Sequence, residues 1–375
     1  MILGIIQLIG LIAYEVIVAT ISGAFCIMPK TKKRLYLFFA LIPLALMTMF
    51  HSSLVGNDTL TYINIFNDFK DFSMSEILRM YGYERGYLIL NVLIGRFTDD
   101  GQWIFIIVGL FTYISLGRWI NKYLETPGLF VVLLVEMLVI DGWMSMQRQT
   151  IAFAILLFAF DFLVDKKIIP FIIFVLFAAC FHRAAFAFLV AYPLVNWLKE
   201  KKVINKFLLK SEVVVFSGTI IVLVIFTWLL EKIINIFPIY SYYLGGEYVN
   251  GVVRTAVVIN SAIYLLMLFI PRMLEGNSIE KINDSKVHGS IHRLSLLNVA
   301  FMIISCNATL FARLSSLFLV FSIACYSESI TNLRIGVNKR IMIIATILLF
   351  MGYALVITAM RTPEWQTTYP FSWCW

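Results

Sequence analysis

Residues 166–202 read KKIIPFIIFVLFAACFHRAAFAFLVAYPLVNWLKEKK. The apolar run is closed at both ends by lysines, Lys166-Lys167 before it and Lys199, Lys201 and Lys202 after it. Lysine collects on the cytoplasmic side of a membrane, so the chain is expected to leave the cytoplasm and return within this one segment. Each arm, 168–181 and 184–198, has only about 14 residues, or about 21 Å of helix, against about 30 Å of hydrocarbon. The turn Phe181-His182-Arg183 is therefore expected to lie below the outer surface. Ionisable groups at membrane depth mark cavities, partners or function.

The remainder of the chain agrees with a membrane setting. Of 375 residues, 61% are hydrophobic and 14% charged, against about 25% charged in soluble domains; mean hydropathy is +0.89. This excludes a cytosolic enzyme and, despite a net charge of +8, a nucleic-acid-binding protein. Further apolar runs predict an all-α, polytopic integral membrane protein of about twelve spans, some short or re-entrant. Besides the two arms above, they fall at 2–28, 35–52, 102–118, 128–145, 149–164, 213–236, 255–271, 294–309, 314–330 and 341–360. The twelve-residue apolar stretch Gly86 to Phe97 is too short to span and reads as re-entrant or interfacial. We read residues 1–375 as a single transmembrane domain with outer loops at 53–101 and 237–254 and a cytoplasmic loop at 271–293. The first apolar run is too long, and too bare of preceding charge, for a cleavable signal.

With residues 30–34 placed inside, twenty Lys and Arg fall in cytoplasmic loops and nine outside, with Lys232 inside a helix. Both termini then lie outside. Eight of the nine outer cations are Arg, whereas the inner set is mostly Lys. The guanidinium fork suits phosphate and carboxylate, and the positive-inside rule gives no reason for such sorting. Arg148, Arg183 and Arg313 each lie at or near the outer turn of an in-out-in helix pair, which predicts a cationic cleft facing outward.

Polar chemistry concentrates in loop 53–101, at Asn57, Asp58, Thr59 and Tyr62 and at Tyr83, Glu84, Arg85, Gly86 and Tyr87. Carboxylates, amides and aromatic rings together suit sugars. Loop 237–254 adds Tyr240, Tyr242, Tyr243 and Tyr248, which read chiefly as an interfacial belt. Glu15 and Glu136 lie inside apolar helices, where pairing within the bundle and a place on an ion path remain equally open. His288 and His292 have i,i+4 spacing but lie in the cytoplasmic loop with no matching Cys or carboxylate pattern, so no metal site is expected. The five cysteines are scattered. No phosphate-cradling glycine motif appears, and the longest cytoplasmic loop, about 22 residues, offers no nucleotide-binding domain. No cofactor is expected, and the energy for any reaction must already reside in the substrate.

These motifs resemble a family. Gly56-Asn57-Asp58-Thr59 with Tyr62 and Phe66, then Glu84-Arg85-Gly86-Tyr87 with Leu90-Asn91, are similar to the outer-loop patterns of the EpsG-like, Wzy-type polysaccharide polymerases. Gln147-Arg148-Gln149 with Ala152 resembles a helix start in that family. His182-Arg183-Ala184-Ala185 resembles its His turn, with Arg183 and Ala184 where a small polar residue is usual. Arg313 matches a further position, Leu317-Phe318 stand where an aromatic pair is common, and Tyr369-Pro370-Phe371 loosely matches a terminal motif. The likeness spans roughly residues 50 to 320.

The resemblance implies an architecture like that of GT-C-type membrane glycosyltransferases. It also implies a bacterial inner-membrane enzyme of O-antigen, capsule or exopolysaccharide synthesis that works on the extracytoplasmic face. Such an enzyme transfers a glycan en bloc from undecaprenyl pyrophosphate to the non-reducing end of a second lipid-linked repeat unit. Its partners would be lipid-linked donor and acceptor, membrane lipid and a chain-length regulator protein. Arg148, Arg183, Arg254, Arg313 and Arg85 would hold the pyrophosphate. His182, Asp58 and Glu84 are the candidates for the base, with His182 favoured because free imidazole titrates near neutrality. Asn57, Tyr62, Tyr83 and Tyr87 would meet sugar. A flippase or exporter of lipid-linked sugars, a glycan ligase and an O-acyltransferase are the alternatives. The outward clustering of cations and the lack of a two-fold repeat speak against the flippase.

Overall fold

The computed structural model describes residues 2–79, 82–198, 202–204, 208–236, 254–275, 286–333, 339–361 and 368–375. Among these the chain is helical apart from one two-stranded antiparallel ladder, β1 (Lys202–Ile204) with β2 (Leu208–Leu209). The four tyrosines expected to form a belt, and most of loop 237–254, lie outside the described residues.

Seven helices are long and apolar enough to cross a bilayer. They are α1 (Ile2–Ser22), α2 (Lys30–Phe50), α6 (Gln102–Tyr123), α9 (Gln147–Val164), α15 (Lys286–Ile304), α16 (Phe311–Thr331) and α17 (Lys339–Arg361). The chain is thus a polytopic membrane protein, but with fewer full-length spans among the described residues than the twelve expected.

The shortfall has local causes. The expected span 128–145 breaks into α7 (Pro127–Glu136) and α8 (Val139–Ser145), bent by 57°, because Leu138 adopts a left-handed conformation with φ 55°. Counting that pair as one span gives eight. The expected span 213–236 divides at Ile225 into α12 (Lys210–Val224) and α13 (Phe226–Ile236). The arms of 168–198 are short, as their length dictates: α10 (Ile168–Ala179), then a 3-10 helix over Arg183–Val190 and α11 (Ala191–Asn196). The apolar part of α14 (Thr255–Glu275) is likewise short. Loop 53–101 carries α3 (Thr59–Phe69), α4 (Met74–Arg79) and α5 (Arg85–Gly95), the last matching the expected non-spanning stretch.

Two compact units form. The first holds residues 1–162, 169–186 and 330–375, and the second 163–168 and 187–329. In the first, α2 packs along α6, and α1 packs on α7, α2 and α17. The Gly128 amide donates to the Ala24 carbonyl at 2.9 Å, fixing the start of α7 beside the end of α1. A Cβ on Gly128 would stand 2.8 Å from the Ala24 carbonyl carbon, so this close crossing requires glycine. The C-terminal tail packs against the start of α1 and the end of α2: the Phe371 amide donates to Gln7 Oε1 at 2.7 Å, and the Ser52 amide to the Ser372 carbonyl at 2.9 Å. Helix α9 is mostly buried, whereas α1 and α17 leave most of their surface outward. Ile2, Ile6, Ile17, Ile341, Ile344 and Leu348 make that surface apolar, as a lipid-facing surface must be.

In the second unit, α15 packs on α11, α12 and α14. The Tyr192 hydroxyl donates to the Lys166 carbonyl at 2.7 Å and Asn196 Nδ2 to the Leu163 carbonyl at 3.1 Å. The chain leaving at 166 is therefore back beside its starting point by 192. His288 and His292, read from sequence as loop residues without carboxylate partners, stand in the first two turns of α15. His288 Nε2 lies 3.6 Å from Glu328 and His292 Nε2 3.4 Å from Glu212. Those carboxylates come from α16 and α12, distant in sequence, which is why spacing could not find them. No metal-ligating cluster of three or more His, Cys, Asp or Glu occurs among the described residues.

Candidate active site

Three sequence-distant segments of the first unit meet at Glu84, the residue preceding α5. The Arg148 guanidinium, from the first turn of α9, donates through Nη1 to Glu84 Oε2 at 2.6 Å. On the other oxygen, Oε1, the Arg183 amide donates at 3.3 Å and the His182 ring approaches through Nδ1 at 3.4 Å. The Glu84 side chain is 8% exposed. Burial alone would raise its carboxyl. The His182 contact and the Arg148 charge overcome that and hold it down at about 2, so Glu84 is a carboxylate at any physiological pH. Both ring nitrogens of His182 and Arg148 Nε are buried with no hydrogen bond of good geometry among the described residues, so His182 Nδ1 approaches Glu84 at 3.4 Å as a charge contact.

Glycine makes the convergence possible. The Gly86 amide donates to the Cys180 carbonyl at 2.9 Å, and a Cβ on Gly86 would stand 2.7 Å from that oxygen. Only glycine lets the Glu84 segment lie flat on the turn that bears His182. Gly56 does the same elsewhere. Its φ is +84°, and a Cβ there would stand 3.0 Å from Ser145 Oγ and 2.9 Å from Thr59 Oγ1. It seats the Gly56–Thr59 turn on the end of α8, three residues before Arg148.

That turn divides its labour. Thr59 is fully buried, donates to the Val55 carbonyl and approaches His51 Nε2 at 3.4 Å. His51, also fully buried, contacts the Thr48 carbonyl through Nδ1 at 2.9 Å. Asn57 and Asp58 are exposed. Asp58 occupies the N-cap of α3 but makes no capping hydrogen bond with its side chain, so the carboxylate is available.

The tyrosines divide as well. Tyr87 is fully buried and Tyr62 nearly so, their rings edge to face at 5.7 Å. Tyr62 hydrogen-bonds Arg148. Burial raises the Tyr62 phenol and the Arg148 charge works against the rise. Both rings, read from sequence as sugar contacts, are enclosed by protein, Tyr62 bonded to Arg148 and Tyr87 packed against Tyr62. Tyr83 is partly exposed, its ring 5.6 Å below the Arg148 guanidinium. Arg85 and Arg183 are exposed, while Arg148 is engaged by Glu84. Arg254 and Arg313 belong to the second unit.

Glu84, Arg148 and His182 thus stand together, with Arg183 beside them, in the order of motifs that resembled a polymerase family. The sequence matches that family over residues 16–373, nearly the whole chain. The chain belongs to the EpsG family. EpsG proteins are a Wzy-like polymerase family, and membership gives this chain a polysaccharide-polymerase role in general terms. No curated protein and no solved structure matches it. Of the EpsG motifs, sequence reading named Glu84 and His182 as alternative bases and Arg148 as a pyrophosphate ligand, without joining the three. It passed over His51 and did not see the two glycines as docking points, since nothing in a one-dimensional pattern says which backbone each would touch.

Proposed function

We propose that this EpsG protein polymerises a lipid-linked glycan at the outer face of the membrane, with Glu84 and His182 acting as a carboxylate–imidazole pair. The observation that carries the reading is an ionised, buried Glu84 3.4 Å from His182 Nδ1, the ring nitrogen nearer to it, with neither ring nitrogen in a hydrogen bond to another residue. A carboxylate so placed favours the tautomer with the proton on Nδ1, leaving the lone pair on Nε2.

The acceptor sugar hydroxyl attacks C1 of the donor glycan and gives its proton to His182 Nε2. The C1–oxygen bond to pyrophosphate breaks, and the polyprenyl pyrophosphate departs with the electron pair. Arg183 and Arg85, exposed beside Glu84, meet the charge that develops on the leaving group. Arg148 holds Glu84 rather than substrate. Asn57, Asp58 and Tyr83 supply the polar and aromatic surface for sugar. Arg254 and Arg313 receive no step. The leaving group carries the energy, so no nucleotide enters.

Purified protein given an undecaprenyl-pyrophosphate repeat unit, without nucleotide, should produce a ladder of longer lipid-linked glycans. Absence of a ladder with the cognate unit, together with movement of that unit across a sealed bilayer, would replace this reading by an exporter.

A further inference from the structure

The interior of the first unit holds a second group of polar atoms that the proposed chemistry does not use. Glu15 lies on the buried stripe of α1, with Leu8, Ile12 and Ala19, and is fully buried. Neither carboxylate oxygen has a hydrogen-bond partner among the described residues, and the Tyr36 hydroxyl, from α2, has none either. The two lie at the same level. The Tyr14 hydroxyl donates to the Phe39 carbonyl at 2.9 Å, which sets the register of α1 against α2.

A second acid stands at the same depth. Helices α1 and α7 run antiparallel from the contact of Gly128 with the Ala24 carbonyl. Glu15 lies nine residues before that contact and Glu136 eight residues after Gly128, or about 13 and 12 Å along the two axes. Glu136 is fully buried and both its oxygens are unpartnered among the described residues. It ends α7 where the helix breaks at Leu138, and the C-terminal end of a half-helix carries negative potential. From α17, which also packs on α1, the buried face is Ile343, Thr346, Phe350, Ala354, Ile357 and Thr358, without charge; on α2 the buried Lys33, one turn from Tyr36, donates to the Leu124 carbonyl. Asp141 faces Arg361 and Thr368 instead.

A carboxylate inside a bilayer without a partner is costly and marks function by default. We propose that Glu15, with Tyr36 beside it and Glu136 as the second acid, forms an intramembrane site for a small monovalent cation, either a proton or an alkali-metal ion. The site uses none of the residues assigned to the Glu84–His182 group and does not depend on the glycan reading.

The test uses the full chain in lipid nanodiscs, with melting measured in sodium, potassium or choline chloride at equal ionic strength and infrared spectra recorded across a pH series. An alkali-ion site predicts a saturable upward shift of a few degrees in sodium or potassium over choline, lost in Glu15→Gln and reduced in Tyr36→Phe. A proton site predicts no difference between salts. It predicts instead a carbonyl stretch of a protonated carboxylic acid at neutral pH that shrinks in Glu15→Gln and again in Glu136→Gln. A wild-type protein with neither salt dependence nor a protonated-acid band overturns the proposal, and that result needs no variant to fold.

Discussion

Glu84 Oε2 accepts a 2.6 Å hydrogen bond from Arg148 Nη1 across 64 residues of sequence. This pair ties the Glu84 motif to the first turn of α9, and the other carboxylate oxygen ties both to the His182 turn. Its consequences are the most readily measured.

Glu84→Gln keeps the shape and removes the charge, leaving Arg148 partly buried and uncompensated. A fully buried pair broken this way costs about 3–5 kcal/mol. A quarter of the Arg148 side chain is exposed, so we expect roughly 2 kcal/mol, read as a lower melting temperature in detergent or nanodiscs. The folded carboxyl sits near 2, below the unfolded value of about 4.3. The pair's stabilisation is therefore complete above about pH 4.3 and is lost as pH falls toward 2. Melting of the wild type should drop more steeply over that window than melting of Glu84→Gln.

Gly86→Ala places a methyl group against the Cys180 carbonyl, which as backbone cannot move aside. We expect destabilisation of roughly 1–3 kcal/mol and a fall in turnover on the order of 100-fold, because an ångström of misplacement at a reacting centre costs that much. Gly352→Ala is the control. Nothing lies within 4 Å of its Cβ position in α17, and melting and turnover should both stay within error of wild type. Equal behaviour of the two variants would show that the close approach at Gly86 does not position Glu84.

Arg183→Ala removes an exposed side chain whose backbone amide alone binds Glu84. Turnover should fall roughly 100-fold while the melting temperature is unchanged. A matching loss of stability would mean that the side chain serves the fold rather than the leaving group.

The Gly56–Thr59 turn separates anchor from chemistry. Thr59→Val, which removes the buried hydroxyl, should cost about 1 kcal/mol and be visible in melting. Asp58→Asn should leave melting alone and raise the acceptor concentration needed for half-maximal rate. The reverse pattern would exchange their roles.

Much of this site was legible in the sequence. Lysines at both ends of 168–198 and the shortness of its arms placed His182 and Arg183 on a turn, and polar density singled out Glu84 and Asp58. What was not legible needed a second segment. Arg148 reads as a phosphate ligand until Glu84 is seen to occupy it. Tyr62 and Tyr87 read as sugar platforms because tyrosine is amphipathic, and only packing reveals that their faces are spent on each other and on Arg148. The span count failed at Leu138 and Ile225 for a similar reason: hydropathy runs smoothly through both points, and a single left-handed residue or helix break leaves no mark in an apolar run.

The most direct test of the central claim is chain growth from a purified lipid-linked repeat unit, without nucleotide, by wild type and by His182→Ala and Glu84→Gln of matched abundance. The account predicts a glycan ladder with release of polyprenyl pyrophosphate in the wild type and its near-complete loss in both variants. A ladder of undiminished rate from either variant would contradict it.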